Sequence, residues 1–192
     1  MLWAAGAAAA DKSILVLGDS LSAAYGIARS RGWVALLEER LKRERLDYSV
    51  VNASISGDTS AGGRARLDAA LERNRPAVVI VELGGNDGLR GLPVAQMKAN
   101  LAAIIERSKK SGARVLLIGM KVPPNYGPEY TSAFESAFAD LGKRYKVALL
   151  PFLLEGFSDQ PDFFQPDRIH PTAEAQPLIL ERVWQKLAPL LR

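Results

Sequence analysis

The chain of 192 residues contains no cysteine and a single histidine, His170. Without cysteine, disulfide frameworks, thiol nucleophiles and thiolate-bound zinc are all excluded. One histidine is too few for an ordinary nitrogen-ligated zinc site, and no Asp-rich loop of the EF-hand kind offers an oxygen-ligated site. No metal is expected. Long apolar runs are missing as well. The stretch Met1–Ala10 falls far short of the roughly 20 residues that a membrane-spanning helix needs. It has no basic segment ahead of it, yet Ala7-Ala8-Ala9-Ala10-Asp11 is similar to the small-residue end of a signal peptide. Residues 1–11 therefore read as a signal-peptide remnant or a vector-derived start, with an ordinary frayed terminus as the plain alternative. Residues 12–192 read as a single domain. A strong excess of one charge is also lacking: Lys+Arg 25 against Asp+Glu 21 leaves +4. Basic and acidic residues interleave, as from Glu38 to Arg45, in the manner of a solvated helix face. Neither nucleic-acid binding nor stable membrane insertion is expected.

What the sequence does contain is an alternation of short β-branched runs with helical stripes. The runs are Ser13–Gly18, Tyr48–Asn52, Ala77–Glu82, Arg114–Gly119 and Val147–Leu150. Most are continuously apolar, as strands covered on both faces of a parallel sheet must be. Between them, Trp33, Leu36, Leu37 and Leu41 keep helical spacing, as do Val94, Met97, Leu101, Ile104 and Ile105. Tyr130, Phe134, Phe138, Leu141 and Tyr145 make a third stripe, and Leu180, Val183, Trp184 and Leu187 a fourth. Right-handed crossovers between such elements give an α/β fold, a three-layer α/β/α sandwich around a five-stranded parallel sheet of order 2-1-3-4-5. Chemistry in that architecture belongs to loops at the carboxyl ends of the strands.

Those ends carry a consistent set of polar residues. Strand one runs into Gly18-Asp19-Ser20-Leu21-Ser22, strand two into Ser54-Ile55-Ser56-Gly57-Asp58, and strand three into Gly84-Gly85-Asn86-Asp87. Asp167-Arg168-Ile169-His170 precedes the last helix, between Pro166 and Pro171. Each has a plain reading and a chemical one. Ser20 suits a helix N-cap, or a nucleophile with backbone N–H groups beside it. Gly57 suits a turn of positive φ, or a backbone donor that a reacting carbonyl can approach. Asn86 suits an Asx turn, or a side-chain donor to the same oxygen. Asp167 can hold one ring nitrogen of His170 and leave the other free as a base, and no other imidazole base is available. The lipase-type G-x-S-x-G elbow is absent, because Ser22 stands where its last glycine would be. Neither a Walker A loop nor G-x-G-x-x-G follows strand one, which argues against a nucleotide-binding doubly wound domain.

Taken in order, these blocks resemble the SGNH (GDSL) hydrolases. The likeness extends to the bacterial arylesterase / acyl-CoA thioesterase I / lysophospholipase L1 group through Val51–Gly63, Glu82–Gly91, Pro123–Gly127 and Ala175–Pro177. The resemblance implies a flavodoxin-like fold, no cofactor, and hydrolysis of carboxylic esters and often of thioesters. It implies Ser20 as nucleophile, His170 as base and Asp167 as its partner, with an oxyanion hole of the Ser20 and Gly57 backbone N–H groups and the Asn86 amide. It also implies that Leu89, Leu92, Val122, Pro123 and Tyr126 line a shallow acyl groove; packing of the upper rim is the plain alternative. Without a long insertion to form a lid, short-to-medium acyl and aryl esters are the expected small-molecule substrates, with acyl thioesters and lysophospholipids beside them. Members of that group are typically exported, so a periplasmic or secreted location is expected. The rival readings are a carbohydrate acetylesterase and a non-catalytic acyl- or lipid-binding module, the latter having no need of a triad.

Overall fold

The computed structural model describes residues 12–192, so the expected leader segment lies outside the described residues. Five strands, β1 (Lys12–Gly18), β2 (Tyr48–Asn52), β3 (Val78–Glu82), β4 (Arg114–Ile118) and β5 (Ala148–Leu150), form one sheet. Every pairing is parallel and the order is β2-β1-β3-β4-β5, as expected from the alternation. Because strand side chains alternate between faces, the continuous apolar runs feed two separate cores. Ile14, Val16, Val78, Ile80, Leu116 and Ile118 pack with Trp33, Leu37 and Leu41 of α1 (Trp33–Arg43) and Ile179, Val183 and Leu187 of α6 (Gln176–Leu187). On the opposite face Leu15, Leu17, Val79, Val81, Val115 and Leu117 meet α2 (Ser60–Asn74), α4 (Val94–Lys110) and α5 (Pro128–Tyr145).

The register places the site. Gly18 pairs with Glu82, so the carboxyl ends of β1 and β3 lie side by side. The polar residues after both strands therefore leave the sheet together. A short helix, α3 (Gly85–Leu89), follows β3 directly after Gly84, whose φ of 109° is open to glycine and strained for other residues. Helix α2 was not legible as a stripe. Its buried side carries Ser60, Gly63, Leu67 and Leu71, and a Cβ on Gly63 would overlap Leu83 Cδ1. Small residues let this helix lie close to the end of β3.

Candidate functional site

After Gly18 the chain makes a tight turn rather than a helix. Asp19 Oδ1 accepts from Leu21 N at 3.0 Å and Asp19 O from Ala23 N at 2.9 Å. Ala24 and Gly26 then take φ of 60° and 74°, left-handed values through which a right-handed helix does not continue. Helix α1 accordingly begins only at Trp33. The capping reading of Ser20 thus passes to Asp19, and the Ser20 hydroxyl is left free of the turn. Its Oγ lies 3.0 Å from His170 Nε2, across 150 residues of sequence.

His170 is held by its own loop. Phe164 and Pro171 bridge its base, and Gln165 N donates to His170 O at 2.8 Å. Asp167 Oδ1 accepts from Ile169 N and His170 N, each at 3.0 Å, and Asp167 Oδ2 is 2.7 Å from His170 Nδ1. An ionised carboxylate only accepts, so this partner assigns the ring proton to Nδ1 and turns the Nε2 lone pair toward Ser20. The His170 backbone N–H, then its ring, then the Ile169 N–H hold the Asp167 carboxyl down at about 2. The Tyr25 ring covers the imidazole, with centroids 4.4 Å apart and planes tilted by 39°.

The other two blocks meet the end of β1. Gly57 has φ of 79°, and among the described residues the backbone N–H groups of Ser20 and Gly57 donate to no protein acceptor. Asn86 forms no Asx turn. Its Nδ2 donates to Asp19 Oδ2 at 3.0 Å and to Asp58 O at 2.9 Å, joining three strand-end loops. Arg66 of α2 supports the second block from beneath, donating from Nε to Asp58 Oδ2 at 2.7 Å, from Nη2 to Gly18 O at 3.2 Å, and from Nη1 to Ala53 O. Asp87 anchors the start of α2 by accepting from Ser60 N at 2.8 Å and Ser60 Oγ at 2.6 Å. Arg90 Nη2 reaches Gly57 O at 2.8 Å.

Beside the Ser20 turn sits a carboxyl pair. Glu82 Oε2 accepts from Ser22 Oγ at 2.7 Å and from Asp19 N at 3.3 Å. Burial, followed by the Asp19 charge, pushes Glu82 well above the carboxylate range, while burial pushes Asp19 up to about 6. Burial thus favours the protonated form of both carboxyls, and Asp19 Oδ2 accepts from Asn86 Nδ2 at 3.0 Å.

The five residues expected at an acyl groove divide by exposure. Leu89 is 41% and Leu92 37% exposed, and Pro123 is exposed. Tyr126 is half-buried and donates its hydroxyl to Leu89 O at 2.7 Å. Val122 is buried; a Cβ on Gly88 would overlap its Cγ1, so it belongs to the floor rather than the surface. A separate hollow of about 260 Å³ lies behind the nucleophile's turn, lined by Ser22, Arg29, Glu38, Asn52 and Ser54 among others, and does not include Ser20 or His170. Among the described residues no group of three or more His, Asp or Glu is placed to hold a metal, and no helix is long and apolar enough to cross a membrane. The residues not singled out from sequence are Arg66, Glu82, Arg90, Tyr25 and Gln165. Their partners lie up to 140 residues away, and no local spacing announces them.

The same arrangement of elements occurs in known proteins. The chain is 54% identical to the esterase TesA of Pseudomonas aeruginosa over 95% of this chain and 91% of the relative. It is 46% identical to thioesterase 1/protease 1/lysophospholipase L1 of Escherichia coli over 96% and 87% of the two chains. The crystal structure of the psychrotrophic esterase EstA from Pseudoalteromonas sp., inhibited by monoethylphosphonate, superposes with a TM-score of 0.90 at 42% identity, covering 94% of this chain and 99% of that one. Residues 16–177 match the GDSL-like Lipase/Acylhydrolase family. Strand order, strand-end blocks and sequence identity along nearly the whole chain agree, and the chain belongs to that GDSL-like, or SGNH, family of hydrolases.

Proposed function

We propose that the chain hydrolyses carboxylic esters, and acyl thioesters and lysophospholipids with them, through a Ser20–His170–Asp167 triad and an acyl-enzyme. The observation that carries this is the unbroken contact chain from Asp167 through His170 to Ser20, with the Ser20 and Gly57 backbone N–H groups left without a protein acceptor among the described residues. Ser20 Oγ attacks the acyl carbonyl carbon while His170 Nε2 takes its proton. The carbonyl oxygen becomes an oxyanion against the Ser20 and Gly57 N–H groups. Asn86 joins by sharing one of the N–H bonds now aimed at Asp19 and Asp58, because a localised negative oxygen is the stronger acceptor. The protonated imidazole then gives its proton to the departing alcohol or thiol, and the acyl group stays on Ser20. Water, deprotonated by the same nitrogen, cleaves that ester and frees the acid.

Leu89, Leu92, Pro123 and Tyr126 form the apolar edge where an acyl chain lies, over a floor that includes Val122. That edge is open, which suits aryl esters and short-to-medium chains. The names of the two relatives, esterase and thioesterase/lysophospholipase, support the same breadth. A p-nitrophenyl ester series from two to sixteen carbons, run beside an acyl-CoA, a lysophospholipid and an acetylated sugar, measures the range. Preference for only the longest esters contradicts an open edge; turnover of the sugar alone transfers the reading to a carbohydrate acetylesterase. A serine-directed organophosphorus reagent is expected to label Ser20 once and abolish turnover, and a fully active Ser20→Ala ends the proposal. Export to the periplasm or beyond is part of the same proposal, on the small-residue stretch Ala7–Ala10, and fractionation of cells bearing the chain tests it.

A further inference from the structure

The geometry points to Gln165 as the positioning residue that sets His170 on Ser20, an inference that rests on the triad proposed above. His170 sits on a loop in which Asp167, Arg168 and Ile169 are exposed; its own side chain is 18% exposed and packs on the Tyr25 ring, so the placement of the loop rests on that contact and on hydrogen bonds. Gln165 supplies the constraint. Its backbone closes the loop at both ends, N donating to His170 O at 2.8 Å and O accepting from Arg168 N at 2.8 Å. Its side chain then ties the closed loop outward. Nε2 donates one hydrogen to Pro171 O at 3.1 Å and the other to Tyr25 O at 2.8 Å, in the turn that bears Ser20. Among the described residues, this amide and the Ser20–His170 contact are the only hydrogen bonds between residues 19–26 and residues 163–171. Two neighbours are shaped to the amide. A Cβ on Gly26 would overlap Gln165 Oε1, and the Tyr25 ring carried by the bonded residue lies on the His170 ring.

Removing the amide leaves the Asp167–His170 hydrogen bonds intact and frees the loop to drift from Ser20, and a shift of about 1 Å is worth roughly 100-fold in rate. The test compares Gln165→Leu and Gln165→Glu with the parent chain on p-nitrophenyl butyrate, alone and in a His170→Ala background. The Glu variant keeps the length of the side chain but donates nothing, and serves if the Leu variant does not fold. Expected is a kcat loss of about 10- to 100-fold with KM within about twofold and a matching fall in the rate of organophosphorus labelling at Ser20. In the His170→Ala background the same substitution is expected to change the residual rate less than about twofold, because the loss runs through the imidazole. A kcat within twofold of the parent, or an equal loss with and without His170, overturns the role of Gln165. Full activity in His170→Ala alone instead overturns the triad reading beneath it.

Discussion

Asp19, Ser22, Glu82 and Asp87, on the Ser20 side of the site, are each under 4% exposed, whereas Ile169 in the histidine loop is 46% exposed and the Asp167 side chain 39%. The bonding differs in the same way. On the buried side Ser22, Asp87, Arg66 and Asn86 reach partners on other elements, 27 to 67 residues distant, while Asp19 also accepts from Leu21 N and Glu82 Oε1 has no protein partner among the described residues. On the exposed side Asp167 is satisfied within three residues. A buried polar group that is left unpaired destabilises the fold, so the Ser20 half is framework and, on the proposed reading, chemistry at once. The histidine half is a surface attachment whose failure leaves the framework standing.

That contrast is sharpest for Asp167→Asn. Oδ1 can still accept from the Ile169 and His170 N–H groups, but the amide favours the wrong tautomer of the ring. A fall in kcat of roughly 10⁴-fold is expected, with Tm moving less than about 2 °C, read from ester kinetics and a thermal melt on one preparation. Asn86→Ala is expected to cost less rate, about 10²- to 10³-fold, but also to lower Tm, since Asp19 Oδ2 and Asp58 O both lose their donor. If its Tm is unchanged, the buried half is not framework in the sense argued. Arg66→Met removes an ion pair in which the two side chains are 22% and 12% exposed. Discounted for that exposure, a loss of about 2 kcal/mol is expected, measured as a lower denaturant midpoint at constant slope.

The smallest effect separates the halves by the sign of their pH dependence. Asp19 titrates at about 6 in the fold against an ordinary 3.8. Between those values the folded chain binds more protons than the unfolded one, so this group makes stability fall as pH rises from about 4 to about 6. Asp167 acts the opposite way. Its pKa of about 2 lends stability above 3.8 that is lost as pH falls through about 2, and screening at its exposed position keeps that contribution small. Asp19→Asn removes the titrating carboxyl, and denaturant midpoints taken from pH 4 to 7 are expected to vary less than in the parent. An unaltered slope assigns the titration to some other group.

Much of this was readable before any coordinates. Buried strands must be apolar on both faces, so the runs from Ser13, Tyr48, Ala77, Arg114 and Val147 declared a covered parallel sheet and, with the helical stripes, its order. Ser20, Gly57 and Asn86 stood out because strand ends are where such residues gather, and the Asp167–His170 pair because a carboxylate three residues before the one histidine can orient its ring. Helix α2 escaped because its packing rests on the smallness of Gly63 and Ser60, which leaves no stripe. The turn after β1 escaped because Ala24 at φ of 60° is a conformation that its residue type does not signal. Arg66, Glu82 and Gln165 escaped because a hydrogen bond over a long separation is a property of the folded chain and leaves no periodicity.

Leu89 and Leu92 occupy an unusual mechanical position. Their side chains face solvent, yet their carbonyls are clasped by the hydroxyls of Tyr126 and Tyr130, at 2.7 and 2.8 Å. Backbone shape and side-chain identity are thereby uncoupled at the lip of the site. A bulkier or smaller residue can be exchanged at either leucine while the main chain keeps its course, so on the proposed reading chain-length preference is free to drift between lineages, or under a designer's hand, without retuning Ser20 and His170.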